Sequence, residues 1–366
     1  MKMRIILSAS VSFGLVLPVL GLPNPNSRLL SPSVIASVVP GESSLFATYS
    51  GKAPPITDED LKAIPATASG EPDPENRMLQ NLMGGEWVVW AFYQYAMEAL
   101  SASDFTKLGL SNSTYAGIAA MRDNEIGHAR IFQERLGDNS VKPGPCKYTF
   151  KEIVKNNPKT WLAFQVYIEI SSMAFLTGMI NQAEFNNSKS ILMAISQTES
   201  RHNAWGLSEV LKTSLLTGPS DTVYPYANQI LDGMNGFIVP GSCPSESPTW
   251  PSPRQSLPMM GFNPNTTTAR PGSDIEFLFP KGKPDFGGKD YYAVFYHGLN
   301  NISVPYDPKQ NRVKIPHEFG TDAGLIIANI ADEPHAPTAE SVVAGPLFLL
   351  EQPWQLAKSF SFANSL

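Results

Sequence analysis

Four long stretches of the chain place apolar residues three and four apart, the spacing of one helix face, and each carries a glutamate near its middle. Over 76–101, Leu79, Leu82, Met83, Val89, Trp90, Tyr93, Met97 and Leu100 track a helix through Glu86. Further helices are expected over 113–136, 160–182 and 188–214, with a shorter one over 224–234. Glu125 shares its face with Ile118, Met121 and Phe132, and Glu199 shares one with Leu192, Ile195 and Val210. Glu86, Glu125, Glu169 and Glu199 each lie about ten residues, or about 15 Å, into their own helix. Buried glutamates at one shared depth call for a neutralising partner.

That partner is written beside them. Glu125 and His128, like Glu199 and His202, stand three residues apart on a helix and so aim a carboxylate and an imidazole at one point. The order Glu, Glu-x-x-His, Glu, Glu-x-x-His is how a four-helix bundle holds two metal ions. Two divalent cations cancel four carboxylate charges. Carboxylate and imidazole suit iron or manganese, and no thiolate stands at ligand spacing to select zinc. The expected donors are therefore Glu86, Glu125, His128, Glu169, Glu199 and His202, with Glu125 and Glu199 bridging the ions and one histidine terminal on each.

The connections bear on topology. Segments 102–112 and 183–187 are short, as antiparallel neighbours need, whereas 137–159 is long. A 24-residue helix spans about 36 Å, and 23 extended residues can run back along it. Helices two and three are then parallel, the single-crossover connectivity of a ferritin-like bundle. Beyond a Pro/Ser-rich stretch, 238–272, short strand-like runs follow at 275–279, 291–297, 302–304, 313–315, 325–330 and 341–350, punctuated by Gly, Pro and Asn. They suggest a small antiparallel β-sandwich. The expected fold is thus α+β and multidomain: signal peptide 1–21, Pro/Ser-rich leader 22–74, four-helix bundle 75–237, linker 238–272, β-sandwich 273–352 and tail 353–366.

Compartment and charge narrow the function. Lys2 and Arg4 precede an apolar run that ends in small Gly21, the pattern of a signal peptide rather than a span, and no second long apolar run is evident. Sequons at Asn112, Asn186, Asn265 and Asn301 agree with a eukaryotic secretory route to the medium or cell surface. In an oxidising compartment Cys146 and Cys243 suggest one disulfide; two buried or free thiols are the alternative. A net charge of -6 with pI near 5.5 and no basic cluster makes nucleic acid a poor partner.

Other residues have simpler readings. Tyr93, seven residues beyond Glu86, could donate to a ligand or act as a redox phenol, although a bundle aromatic is more often plain core. Arg122 and Asp123 read as a solvent-facing ion pair, and Glu98 and Glu184 as surface charges. His297, His317 and His335 fall in the β region without ligand partners.

The set Glu86, Glu125-Ile-Gly-His128, Glu169 and Glu199-Ser-Arg-His202, with the helix EWVVWAFYQYAMEAL, resembles the ferritin-like di-metal carboxylate superfamily. More narrowly, an exported bundle followed by YYAVFYHGLNNISVP and SVVAGPLFLLE is similar to the fungal secreted ferritin-like group of Rds-type stress-response and late-sexual-development proteins. The resemblance implies paired iron or manganese with a small oxidant or metal ion as partner, in stress response or development. The signal and the β domain argue against a closed storage cage. Two rivals stand beside this reading: a cell-surface or matrix scaffold without chemistry, and a di-metal oxygenase that would need an apolar pocket beside the metals.

Overall fold

The computed structural model describes residues 56–213, 222–263, 269–319 and 325–350. The expected signal peptide, the leader up to residue 55, the Asn265 sequon and the tail 353–366 lie outside the described residues.

The helices are α1 (Pro74–Ala99), α2 (Ala102–Thr106), α3 (Thr114–Arg135), α4 (Lys151–Val154), α5 (Pro158–Gln182), α6 (Asn186–Trp205) and α7 (Ala227–Met234). Two of the long ones start on strong local signals. Asp73 accepts from Asn76 N at 2.7 Å ahead of Pro74, and Asn157 accepts from Lys159 N and Thr160 N ahead of Pro158. Each cap satisfies amides that have no partner in the first turn, and proline loses nothing there.

Neighbouring helices pair in opposite directions. Glu86 on α1 lies beside His128 on α3, while Tyr93, two turns on, meets Met121, two turns back. Asn124 and His128 on α3 lie beside His202 and Glu199 on α6. Against α1, α5 has Trp161 Nε1 donating to Phe92 O at 3.3 Å at one end and Glu184 N, just past its other end, donating to Glu75 at 2.7 Å.

The fourth helix stops short of the expected 214. At Trp205 it passes into a π-turn, Gly206–Val210. Gly206 lies so close to α5 that a Cβ there would meet Val166 Cγ2 at 2.5 Å and Gln165 Oε1 at 2.7 Å. Among the described residues one helix, α5, has the length and hydropathy of a membrane span, an apolar run that the expected elements did not single out. Its apolar window is 72% buried inside the protein.

The strands are β1 (Gly261–Phe262), β2 (Asp274–Leu278), β3 (Tyr291–His297), β4 (Asn300–Tyr306), β5 (Arg312–Lys314), β6 (Leu325–Ala331) and β7 (Val342–Leu350). They form two antiparallel sheets, β4-β3-β6-β7 and β1-β2-β5. Pro305 and Pro346 fall on the edge strands β4 and β7, where a missing N–H breaks no ladder. Every residue of β6 is buried because both of its faces are covered. Ile326, Ala328 and Ile330 share a core with Ile275, Phe277 and Val313 of the smaller sheet. Leu325, Ile327 and Ala331 share one with Met78, Leu82, Phe175 and Leu231 of the helices. Hence β6 reads as a continuous apolar run rather than an alternation.

Within segment 238–272, expected as a linker from its composition, Trp250 and Ser252 pack on α1. Trp250 Nε1 donates to Asn81 O at 2.8 Å, and the Asn81 side chain exchanges hydrogen bonds with the Ser252 backbone, both at 2.8 Å. Gly84 makes room for the Trp250 ring: a Cβ there would meet its Nε1 at 2.4 Å. Cys146 and Cys243 are joined by a disulfide, Cα atoms 4.0 Å apart, tying the connection before α5 to the segment after α7.

Candidate metal centre

The helical period turns Glu86 inward from α1, Glu125 and His128 from α3, Glu169 from α5, and Glu199 and His202 from α6. All six are buried. The structure gathers them into two overlapping groups of four, Glu86–Glu125–His128–Glu199 and Glu125–Glu169–Glu199–His202, with the donor atoms of each within 4.8 Å of one another. Glu125 and Glu199 belong to both. His128 Nδ1 lies 3.5 Å from Glu86, 3.3 Å from Glu125 and 3.1 Å from Glu199. His202 Nδ1 lies 3.0 Å from Glu125, 3.6 Å from Glu169 and 3.4 Å from Glu199.

A donor set meant for cations should leave lone pairs unspent. Both Glu125 carboxylate oxygens, Glu169 Oε2, Glu199 Oε2 and the Nδ1 atoms of both histidines are buried without a hydrogen-bond partner. Buried polar atoms left so are costly unless an ion takes them up. Oxygen and imidazole donors in this number, with no thiolate, are compatible with two divalent metals.

The electrostatics agree. Burial, with Glu125 and Glu199 nearby, pushes Glu86 up to about 8 against the pull of His128. Burial and the Glu199 charge likewise raise Glu169 well above the carboxylate range. Burial opposes ionisation of Glu199 as well, but the neighbouring His128 and His202 outweigh it and hold that carboxyl well below its usual range. Both histidines are raised, since the surrounding carboxylates outweigh the cost of burying their charge. Metal ions bind the deprotonated forms of these groups, so filling the site is coupled to proton release.

Around this set lie Tyr93, which the sequence offered as a donor to a ligand, and Gln165 and Asn124, which it did not single out. Tyr93 O–H donates to Glu169 Oε1, and Gln165 Nε2 donates to the Tyr93 phenolic oxygen at 3.1 Å and to the His202 backbone O at 3.4 Å. Burial, then the neighbouring Glu169 and Glu125, raises the Tyr93 phenol well above its usual range and keeps it a donor. Asn124 Oδ1 lies 3.1 Å from His202 Nε2. Gln165 stands one helical turn before Glu169, and Asn124 is the residue before Glu125. Their positions were the available signal.

The remaining candidates stay outside. Arg122 pairs with Asp123 at 2.7 Å and donates to Gln94. Glu98 accepts from Gln94, and Glu184 is exposed. His297, His317 and His335 neighbour Leu325 O, Glu318 and Asn301, and join neither group. Of the sequons, Asn112 and Asn186 are exposed, whereas both ends of the Asn301 amide engage His335.

No curated protein matches this chain. Residues 75–211 match the family model described as a ferritin-like domain, a span that holds all six donors and supports placing the helical part in the ferritin-like superfamily.

Proposed function

We propose that this chain is an exported, glycosylated ferritin-like protein that holds two iron or manganese ions and is redox-active towards hydrogen peroxide, dioxygen or Fe(II). Its role would lie in stress response or development, as in the fungal secreted group it resembles, without nucleic-acid partners or a transmembrane anchor. In this reading the antiparallel pairings make α3 and α5 parallel, so that the connection before α5 is the single crossover of a ferritin-like bundle. The two sheets form the appended β-sandwich.

The observation that carries the proposal is the pair of four-donor groups sharing Glu125 and Glu199, with their unpartnered oxygens and nitrogens turned inward. Bound ions of this kind supply redox chemistry. The chain does the rest: Glu125 and Glu199 set the spacing, Glu86 and Glu169 balance charge, and the buried walls limit water. A scaffold gains nothing from four central carboxylates. The oxygenase reading meets a cavity of about 820 Å³ lined by Phe164, Tyr167, Ile168 and Phe348, but none of the six donors lines it. Its α5 residues lie roughly a third of a turn away from Gln165 and Glu169, at about 100° per residue.

The test is metal analysis of the protein purified from a secreting host, followed by assays of peroxide consumption and Fe(II) oxidation. About two ions per chain with either activity, both lost in Glu125→Ala, is the expected result. Metal-replete protein inert to peroxide, Fe(II) and oxygen would overturn the redox reading.

A further inference from the structure

The two halves of the centre are alike in their donors and unlike in their support. Glu169 and His202 are held from outside the donor set. Tyr93 donates to one Glu169 oxygen and leaves Oε2 facing His202 Nδ1 at 3.6 Å, and Gln165 fixes Tyr93 in turn at 3.1 Å. An amide oxygen only accepts, so Asn124 Oδ1 at 3.1 Å from His202 Nε2 places the imidazole proton on Nε2. In the neutral imidazole that binds a metal, the lone pair is then on Nδ1, the atom that faces Glu125 and Glu199.

Across the centre this support is missing. Among the described residues, no hydrogen bond from outside the donor set reaches the side chains of Glu86 or His128; their partners are Glu125, Glu199 and each other. The cause is legible in the two motifs. Asn124 precedes Glu125, but Thr198 precedes Glu199, and its hydroxyl turns back to Ala194 O at 3.5 Å and accepts from Arg201 at 3.1 Å. Thr198 therefore does for His128 nothing like what Asn124 does for His202.

A ligand already fixed in its binding rotamer loses less entropy on binding a metal, and its outer partners typically account for about 10–100-fold in affinity. We propose that the two metal positions are inequivalent: the Glu169–His202 position fills first and holds its ion, and the Glu86–His128 position is weaker and exchanges a divalent cation with solution. Asn124, Gln165 and Tyr93 act as positioning residues for the tight position. This rests on the di-metal reading and specifies which half of the site turns its ion over.

The experiment is titration of the full chain, freed of metal by chelation, with Mn(II), followed by calorimetry and electron paramagnetic resonance. Two steps separated by at least about tenfold are expected, with an isolated-ion signal through the first equivalent and a coupled-pair signal only in the second. Glu86→Gln should lose the weak step and keep the tight one. Asn124→Leu and Tyr93→Phe should weaken the tight step by about 10–100-fold with the stoichiometry kept, and Asn124→Asp should restore it. Circular dichroism of each variant checks that the fold is intact. Two ions bound at one affinity, or a tight step that survives in Glu169→Gln and falls in Glu86→Gln, would overturn the inequivalence while leaving the di-metal reading standing. A chain that binds no Mn(II), Fe(II) or Co(II) sinks both.

Discussion

Gly206 shows how much one absent side chain decides. It lets the π-turn after α6 press against α5, beside the residue that holds Tyr93. A methyl group at this position collides with Val166, which is fully buried, and with Gln165 Oε1. Overpacking of this kind costs typically about 1–3 kcal/mol. Gly117 on α3 is the contrast: a Cβ there would meet Trp205 Nε1 at 3.7 Å, an ordinary contact. Urea unfolding should therefore show Gly206→Ala destabilised and Gly117→Ala stabilised by up to about 1 kcal/mol, the helix-propensity difference between glycine and alanine. Shifts of the same sign would mean that the close approach is not the reason for Gly206. At this scale the six donors were legible, because a three-residue step on a helix fixes a shared face. Gln165 and Asn124 were not, because a neutral amide looks the same in sequence whether it faces water or a ligand.

At the scale of elements, periodicity located the four long helices, and the starts it gave for α1 and α5 fall within a few residues of the capped starts at Pro74 and Pro158. It failed where the backbone answers to another element. The end of α6 is set by α5, and the two-residue β1 exists only because β2 offers it a ladder. The Pro-rich segment around Trp250 is bound by the side chain of one asparagine on α1. The disulfide works at this scale too, since it closes a loop across a sequence separation of 97. It is reinforced by backbone bonds from Thr149 N to Phe237 O at 2.8 Å and from Val239 N to Lys147 O at 2.9 Å. In the chain-entropy account, cross-linking a loop of about 100 residues stabilises by about 4.7 kcal/mol. The double variant Cys146→Ser, Cys243→Ser should accordingly lose several kcal/mol in denaturant unfolding, while retaining those backbone bonds and its metal stoichiometry. An unchanged midpoint would show that the backbone bonds alone hold the two segments.

For the whole molecule, the sequence pointed to a bundle and a β domain separated by a linker. The described residues instead share a core across that division: one face of β6 packs with the helices and the other with the smaller sheet. Asn329, on the helix-facing side of β6, donates to Tyr224 at 3.1 Å within that buried layer. Removing the sheets would expose Leu231, Phe175 and their neighbours, at roughly 25 cal/mol for each Å² of apolar surface returned to water. Helical and strand signals should therefore be lost in one transition on heating, with coincident curves by far-UV circular dichroism and tryptophan fluorescence. Two resolved transitions would show that the parts fold independently.

The sequence by itself determined the periodic helices, the inward glutamates and the two Glu-x-x-His steps, because helix geometry is local and a three-residue spacing projects the same way in any surroundings. It also determined most strand positions, where Gly and Pro punctuate short apolar runs. Only the tertiary structure decided which half of the centre has outer support. It alone decided that a Pro-rich stretch clasps α1 and that the sheet and the helices share one core. These depend on distances between residues far apart in the chain, and neither composition nor periodicity carries that information.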